Sequence, residues 1–278
     1  MKKMAIVSAI IAGGFGFATQ SAVAAPPADW SKVPAAKIHV FHPGETPWQW
    51  VDSKGKHGGS RGLARGESCA GCHIEGGEIN LDMVRIAKEL ETKGAPKTMT
   101  YPVSVQAAYD AENLYMRLTF KAPGGGFDHS DKTNEVKATV LFPDDKIPMP
   151  DQVGCWATCH QDLKTMKDGS DKSKYVASGA YDLMQWASSG KVADGSVTDK
   201  RAMEGGKAGV KAEGAKNGDT WTVTFTRKLN GGVALAPGKP VQFGIAVHAD
   251  NAAGRFHHVS FGQTIGLGVD GDVKAAKQ

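Results

Sequence analysis

Cysteine is scarce in this chain: four residues among 278, all within two short motifs, so none is left for a further site. The charge is nearly balanced, with 33 basic and 29 acidic residues, and does not indicate a nucleic-acid partner. Beyond the N-terminus, no segment is apolar over the roughly 20 residues that a membrane span needs. We find no glycine-rich phosphate loop, acid–base constellation or nucleophile setting, and predict neither catalytic residues nor an enzyme activity.

The two cysteine motifs are the most informative feature of the sequence. The first, CAGCH, has the C-x-x-C-H spacing of c-type haem attachment, and the second, CWATCH, has one extra residue between its thiols. Two such thiols form thioethers with the vinyl groups of one porphyrin, and the histidine that follows binds the iron. We therefore predict two covalently attached haem c groups. The predicted cofactor-binding residues are Cys69, Cys72, His73, Cys155, Cys159 and His160, with both histidines as iron ligands.

A zinc site and disulfides are the alternatives for these cysteine pairs. Thiolates and imidazoles suit tetrahedral zinc, but the two pairs lie far beyond the spacing of a zinc ribbon. An exported chain can oxidise its thiols to disulfides, but this leaves both adjacent histidines unexplained. The first motif is a strong signal, and the second gains most of its weight from the first.

The N-terminus predicts export. Lys2 and Lys3 precede an apolar stretch over residues 4–17, and Ala22-Val23-Ala24 has the pattern of a cleavage site. We predict a signal peptide over residues 1–24, removed on export to a bacterial periplasm, with no membrane span in the mature chain. A retained N-terminal anchor is the alternative.

The remaining sequence predicts a mainly β protein in two parts. Residues 25–97 form a small, loop-rich and helical haem c module that carries CAGCH, with a short strand at 38–41 and a helix over 81–93. Residues 98–278 form an antiparallel β-sandwich that carries CWATCH, because apolar residues alternate along segments such as 101–109 and 114–120. Residues 257–261 are the last predicted strand. Residues 190–219 lack periodicity and are interpreted as a long surface loop.

Residues 98–268 resemble the haem-binding β-sandwich domain related to the γ subunit of ethylbenzene dehydrogenase. The segments VSVQAAYDAENLYMRLTF, YDLMQWASSG and VQFGIAVHADNAAGRFHHVSFGQTIGLG carry this resemblance. The γ subunits hold a non-covalent haem, so CWATCH is a departure that is similar to the multihaem c-type branch. In that branch a small haem c module precedes the sandwich, and HGGSRGLARGESCAGCH is similar to it. The resemblance implies electron transfer at haem, without substrate chemistry on this chain.

The sixth ligand of each iron sets its potential and reactivity. For the first haem we favour His57, because the glycines that follow let the chain fold back towards His73. His39, His42 and Met83 are the alternatives.

For the second haem we favour His257, which shares a strand face with Val259 and Phe261 and is expected on the buried side. The alternatives are His258 and Met184, although core packing is the simpler interpretation of Met184. Histidine on both sides of both irons implies low-potential, six-coordinate haem.

The leading functional prediction is a periplasmic dihaem c-type cytochrome that transfers electrons between redox partners. A haem subunit of a molybdenum oxidoreductase and, less favoured, a dihaem peroxidase are the alternatives. The expected partners are other redox proteins: cytochromes, quinol-oxidising enzymes or molybdenum enzymes. Four lysines after the second motif indicate either a docking patch for an acidic partner or a solvated loop, namely Lys164, Lys167, Lys172 and Lys174.

Overall fold

A computed structural model describes residues 25–44, 51, 54, 55, 57–82, 96–126, 128–159, 178–254 and 256–278. The predicted signal peptide, Met83, His160 and the four lysines after the second motif lie outside the described residues, as does nearly all of the predicted helix 81–93. No helix in the described part of the chain is long and apolar enough to cross a membrane.

One large sheet encloses the main apolar core, and smaller apolar clusters lie outside it. Its strands are β1 Ala35–Phe41, β4 Thr100–Tyr109, β5 Asn113–Lys121, β6 Lys137–Pro143, β7 Tyr181–Ala187, β8 Val192–Val197, β9 Arg201–Ala202, β10 Lys211–Asn217, β11 Thr220–Lys228, β12 Pro240–His248, β13 His258–Val259, β14 Gln263–Leu267 and β15 Val273–Lys277. The strands β2 Ile74–Glu75 and β3 Glu78–Ile79 form a separate two-stranded sheet. Helical segments are a 3-10 turn at Trp30–Lys32, α1 at Ser60–Leu63, α2 at Cys69–His73 and α3 at Pro150–Cys159.

Side-chain alternation divides this sheet into an inner and an outer face. The main core contains Val103 and Val105 of β4 and Ile245 of β12, together with the inward residues of the other long strands. The sandwich closes where Trp186 of β7 packs against Trp221 of β11, with ring centres 5.6 Å apart. The predicted mainly β, sandwich-like fold is therefore confirmed.

The predicted surface loop at residues 190–219 is wrong, because this segment contains β8, β9 and β10. β10 pairs with β11 from Lys211↔Thr226 to Asn217↔Thr220, but nearly all of its side chains are exposed. An edge strand of this kind is held by backbone hydrogen bonds. Because neither of its faces needs apolar side chains, its sequence shows no alternation of apolar and polar residues. Residues 257–261 are not the last strand either: β13 has two residues, and β14 and β15 follow it.

The N-terminal module is an insertion in the sheet rather than a domain that precedes it. β1 lies before the predicted boundary at residue 97, yet it pairs with β4 along its whole length, from Ala35↔Gln106 to Phe41↔Thr100. The first cysteine motif thus lies in the connection between two neighbouring strands. The second lies in the connection between β6 and β7, which are also neighbours. Each motif therefore lies in a long connection that joins two neighbouring strands of the sheet.

A buried ion pair ties β11 to β7. The Arg227 guanidinium is fully buried, and its Nη1 lies 3.0 Å from Oδ2 of Asp182. The same carboxylate accepts a hydrogen bond from the backbone of Val233. Lys121 and Asp219 form a second pair, but in solvent, with side-chain exposures of 72% and 68%.

Asp182→Ala is expected to destabilise the fold by about 3–5 kcal/mol, because it leaves a buried guanidinium without its counter-charge. Asp219→Ala is the control and should cost less than about 1 kcal/mol, since an exposed pair contributes little. Urea unfolding measures both changes. Equal losses of stability in the two variants would contradict this account.

Candidate functional site

The first cysteine motif forms a short helix that a glycine hairpin completes. Ser68 caps α2, its Oγ accepting a hydrogen bond from the backbone N–H of Gly71 at 2.9 Å. After α2, Gly76 and Gly77 turn the chain with φ of 58° and 81°, a conformation that favours glycine. The returning strand brings Asn80 beside His73, where its carbonyl oxygen accepts a hydrogen bond from Nδ1 at 2.8 Å. Asn80 therefore holds both the ring and the backbone of His73, since its own N–H donates to the His73 carbonyl.

His57 faces His73 across a narrow gap. Their ring centres are 6.0 Å apart, and the rings are inclined by 24°. Nδ1 of His57 donates a hydrogen bond to the carbonyl of Val51 at 2.8 Å. The ring folds back over Gly59, where a Cβ would lie only 2.7 Å from its Cε1. The structure thus brings together the two histidines expected at the first iron, and their binding of iron stays a prediction.

The separation of the two ring centres is of the size expected for two imidazoles that share one metal ion, each through a nitrogen at about 2 Å. Because each Nδ1 donates its proton to a carbonyl, the lone pair of each ring is on Nε2, the nitrogen that a metal then takes. These backbone bonds fix both the tautomer and the orientation of the rings.

The surroundings of this pair are apolar. Phe261 lies nearly parallel to the His73 ring, with centres 6.1 Å apart. Cys69 is buried, which raises the pKa of its thiol to about 11, whereas Cys72 is exposed. The cluster around the motif consists of Phe41, Val51, Leu63, Cys69, Val153, Val259 and Phe261.

The two other histidines considered for the first iron have different surroundings. His39 is buried, and its Nε2 lies 3.2 Å from Oε2 of Glu78. His42 lies at the end of the core, with its ring centre 5.9 Å from that of His258. Burial lowers the pKa of both His39 and His42. Neither ring is paired with His73 as the ring of His57 is.

The second motif begins in α3, which breaks in its middle. Gly154 has φ 71° and ψ −179°, so the helix turns immediately before Cys155. Cys155 is buried against the outer face of the sheet, in a cluster with Tyr181 and Leu183 of β7. Gly244 of β12 makes room for it, because a Cβ there would lie 2.8 Å from the Cys155 Cβ. Cys69 and Cys72 are free thiols.

His257 and His258 have different surroundings: β13 begins at His258, and His257 directly precedes it. His258 pairs with Val247 in register, faces the core beside Tyr101, and is bonded through Nε2 to the carbonyl of Thr98 at 2.8 Å. Burial lowers its pKa to about 4. His257 is only partly buried, so the expectation that it is the interior residue is wrong. Its Nδ1 donates to the carbonyl of Gly254 at 3.2 Å.

The outer face is nevertheless the side on which both motifs lie. Val259 pairs with Ala246 and Phe41, and all three contribute to the apolar cluster around Cys69. These residues are apolar because the inserted module covers them, which explains why the sequence pattern suggested the interior. Met184 lies in the main core, on the other face of β7 from Leu183 and the Cys155 cluster. The core-packing interpretation of Met184 matches this position.

Sequence reasoning missed His248. Its ring centre is 5.0 Å from that of His257, and its Nε2 donates to the same Gly254 carbonyl at 3.0 Å. Within the described part of the chain its buried Nδ1 has no hydrogen-bond partner, and burial lowers its pKa to about 4. It lines a cavity of about 280 Å³ on the outer face, together with Gln185, Arg201 and Met203. The alternating pattern of β12, which places it on the same face as Gly244, was the available signal.

The described residues contain no cluster of three or more histidine, cysteine, aspartate or glutamate side chains that could hold a metal ion.

Comparison with known proteins gives a consistent set of similarities. Residues 28–208 match the family model described as ethylbenzene dehydrogenase, the haem-binding γ-subunit type. Cytochrome c-552 of Stutzerimonas stutzeri is 45% identical over 292 aligned residues, covering all of both chains. Cytochrome c-551 of Rhodocyclus tenuis is 43% identical over 253 residues, covering 90% of this chain and 99% of that protein.

Gly59→Ala is expected to displace the His57 ring, because the new methyl group would meet its Cε1. One haem should then gain a high-spin fraction in the electronic absorption and EPR spectra. Gly58→Ala is the matched control, since nothing lies within 4 Å of a Cβ at that position. Identical spectra for the two variants would show that the packing of His57 over Gly59 does not govern the coordination of iron.

Proposed function

We propose that this chain, which belongs to the ethylbenzene dehydrogenase family, is a periplasmic dihaem c-type cytochrome that carries electrons between other redox proteins. The opposed rings of His57 and His73, 6.0 Å apart beside the CAGCH helix, are the observation that carries the proposal. Both relatives are named as cytochromes c and align over all or nearly all of their lengths, which supports the assignment to a cytochrome c.

The first haem would be attached through Cys69 and Cys72, and its iron would be held by His73 and His57. A haem supplies an iron that gains or loses one electron; the protein sets its potential through these ligands and their hydrogen bonds. Two histidines place that potential below that of a histidine–methionine site. The buried rings of Phe41 and Phe261 cover the site from the sheet side.

The second haem would be attached through Cys155 and Cys159, and its iron would be held by the adjacent His160 and by His257. Support for His257 comes from its position on the same face as Cys155 and from its Nδ1 hydrogen bond to Gly254. This bond leaves the lone pair on Nε2, as in His57 and His73. His258 faces the core and donates through Nε2 instead.

The alternative is the haem subunit of a molybdenum oxidoreductase, which the match to the ethylbenzene dehydrogenase family favours. Co-purification with a large catalytic subunit from the native periplasm separates this from a free carrier. The N-terminal pattern of Lys2, Lys3 and Ala22-Val23-Ala24 supports export.

Two covalent haems are the expected result of an intact-mass measurement combined with a pyridine haemochrome assay on the mature protein. The double substitution Cys155→Ala, Cys159→Ala should remove one of them and halve the haemochrome absorbance. A single haem in the unsubstituted protein would contradict the dihaem proposal and leave CWATCH as a structural motif.

His257→Ala should convert the second haem from low-spin to high-spin in low-temperature EPR, because one axial nitrogen is lost. His258→Ala is the matched control and should keep both low-spin signals, since this ring faces the core. The reverse pattern would assign the ligand to His258. Unchanged spectra in both variants would remove this pair from the coordination of iron.

A further inference from the structure

Helix α3 lies between the two cysteine motifs and contributes to both. Val153 packs in the apolar cluster that contains Cys69 and Phe261. Cys155, two residues later, packs in the separate cluster with Tyr181 and Leu183. Residues two apart along a chain are at most about 7 Å apart, so the two clusters are separated by little more than the backbone of one residue.

That residue is Gly154, and it fixes α3 to the sheet. Its φ of 71° is in the region that favours glycine, and a Cβ there would lie 2.0 Å from the backbone nitrogen of Gly262. Conversely, a Cβ at Gly262 would lie 2.5 Å from the Gly154 Cα. The two backbones are in direct contact, and Gly262 directly follows Phe261, whose ring is stacked on His73. The position of α3 is thereby coupled to the first iron ligand.

A side-chain clamp joins α3 to the chain that precedes CAGCH. Nε2 of Gln152 donates to the carbonyl of Leu63 at 2.9 Å and to that of Glu67 at 3.3 Å. Leu63 ends α1, and Glu67 lies two residues before Cys69. Three consecutive positions of α3 therefore contact the surroundings of the first motif. Gln152 bonds the chain that precedes it, Val153 packs in the cluster with Cys69, and Gly154 touches Gly262 next to Phe261.

We infer that α3 is a wall shared by the two proposed haem sites, which would hold the two groups in one fixed relation. The inference rests on the proposed dihaem function and adds that α3 couples the two sites. The two haems would supply one-electron exchange, in which one iron is oxidised from ferrous to ferric as the other is reduced from ferric to ferrous, and no covalent bond changes.

Circular dichroism in the Soret band tests this arrangement, because two haems at a short, fixed separation couple and add a band of two signs, the couplet, to the sum of their separate spectra. The unsubstituted protein should show this couplet. The sum of the spectra of two single-haem variants, Cys69→Ala with Cys72→Ala and Cys155→Ala with Cys159→Ala, should not.

Gly154→Ala should lose most of the couplet while both haems remain attached, because α3 must move from Gly262. Gly190→Ala is the matched control: this glycine also has a positive φ, of 87°, but nothing lies within 4 Å of a Cβ there. If Gly154→Ala does not fold, Gln152→Ala replaces it and should weaken the couplet by releasing the clamp.

The shared wall and the dihaem function can be disproved separately. A protein with two haems by mass, but a spectrum equal to the sum of the single-haem variants, would overturn the shared wall alone. A protein with one haem by mass would overturn the dihaem function and the shared wall with it. Equal couplets in Gly154→Ala and Gly190→Ala would show that α3 does not set the relation between the haems.

Discussion

The alternation of side chains across a single sheet is the constraint on which the rest of this structure depends. On the inner face, Val103, Val105 and Ile245 belong to the one core that the sheet encloses. On the outer face, Phe41, Ala246 and Val259 form an apolar floor for the inserted module. A shift of β12 by one residue would exchange the two sets, placing Ala246 inside and Ile245 beneath the module. The core and the candidate haem sites are thus specified by the same register.

Backbone carbonyls give the candidate iron ligands their second constraint. Val51, Asn80 and Gly254 each accept a hydrogen bond from Nδ1 of a histidine proposed as a ligand, so each ring presents Nε2. Because a carbonyl only accepts hydrogen bonds, the proton of each ring must be on Nδ1. The ligands come from connections between strands, while the sheet beneath them holds those connections in place.

The sequence was sufficient where the signal is local. Alternating apolar residues predicted β4 and β5, and the glycines after His57 predicted its return towards His73. Long-range pairing was not readable in the same way: nothing near residues 35–41 shows that β1 joins the sheet beside β4. At residues 257–261 the alternation correctly grouped Val259 with Phe261, but it assigned their face to the interior of the sandwich. The assignment failed because apolar groups cover both faces of this segment. The carbonyl of Asn80 is equally invisible to side-chain patterns, since it depends on the hairpin at Gly76 and Gly77.

The central claim is that both haems lie on the outer side of one sheet, on either side of α3. Anomalous diffraction at the iron absorption edge, from crystals of the haem-loaded protein, tests it most directly. We predict two iron positions on the outer face, one between His57 and His73 and one next to Cys155 and α3. An iron on the inner side of the sheet, near His42 and His258, or two irons on opposite faces, would contradict the account.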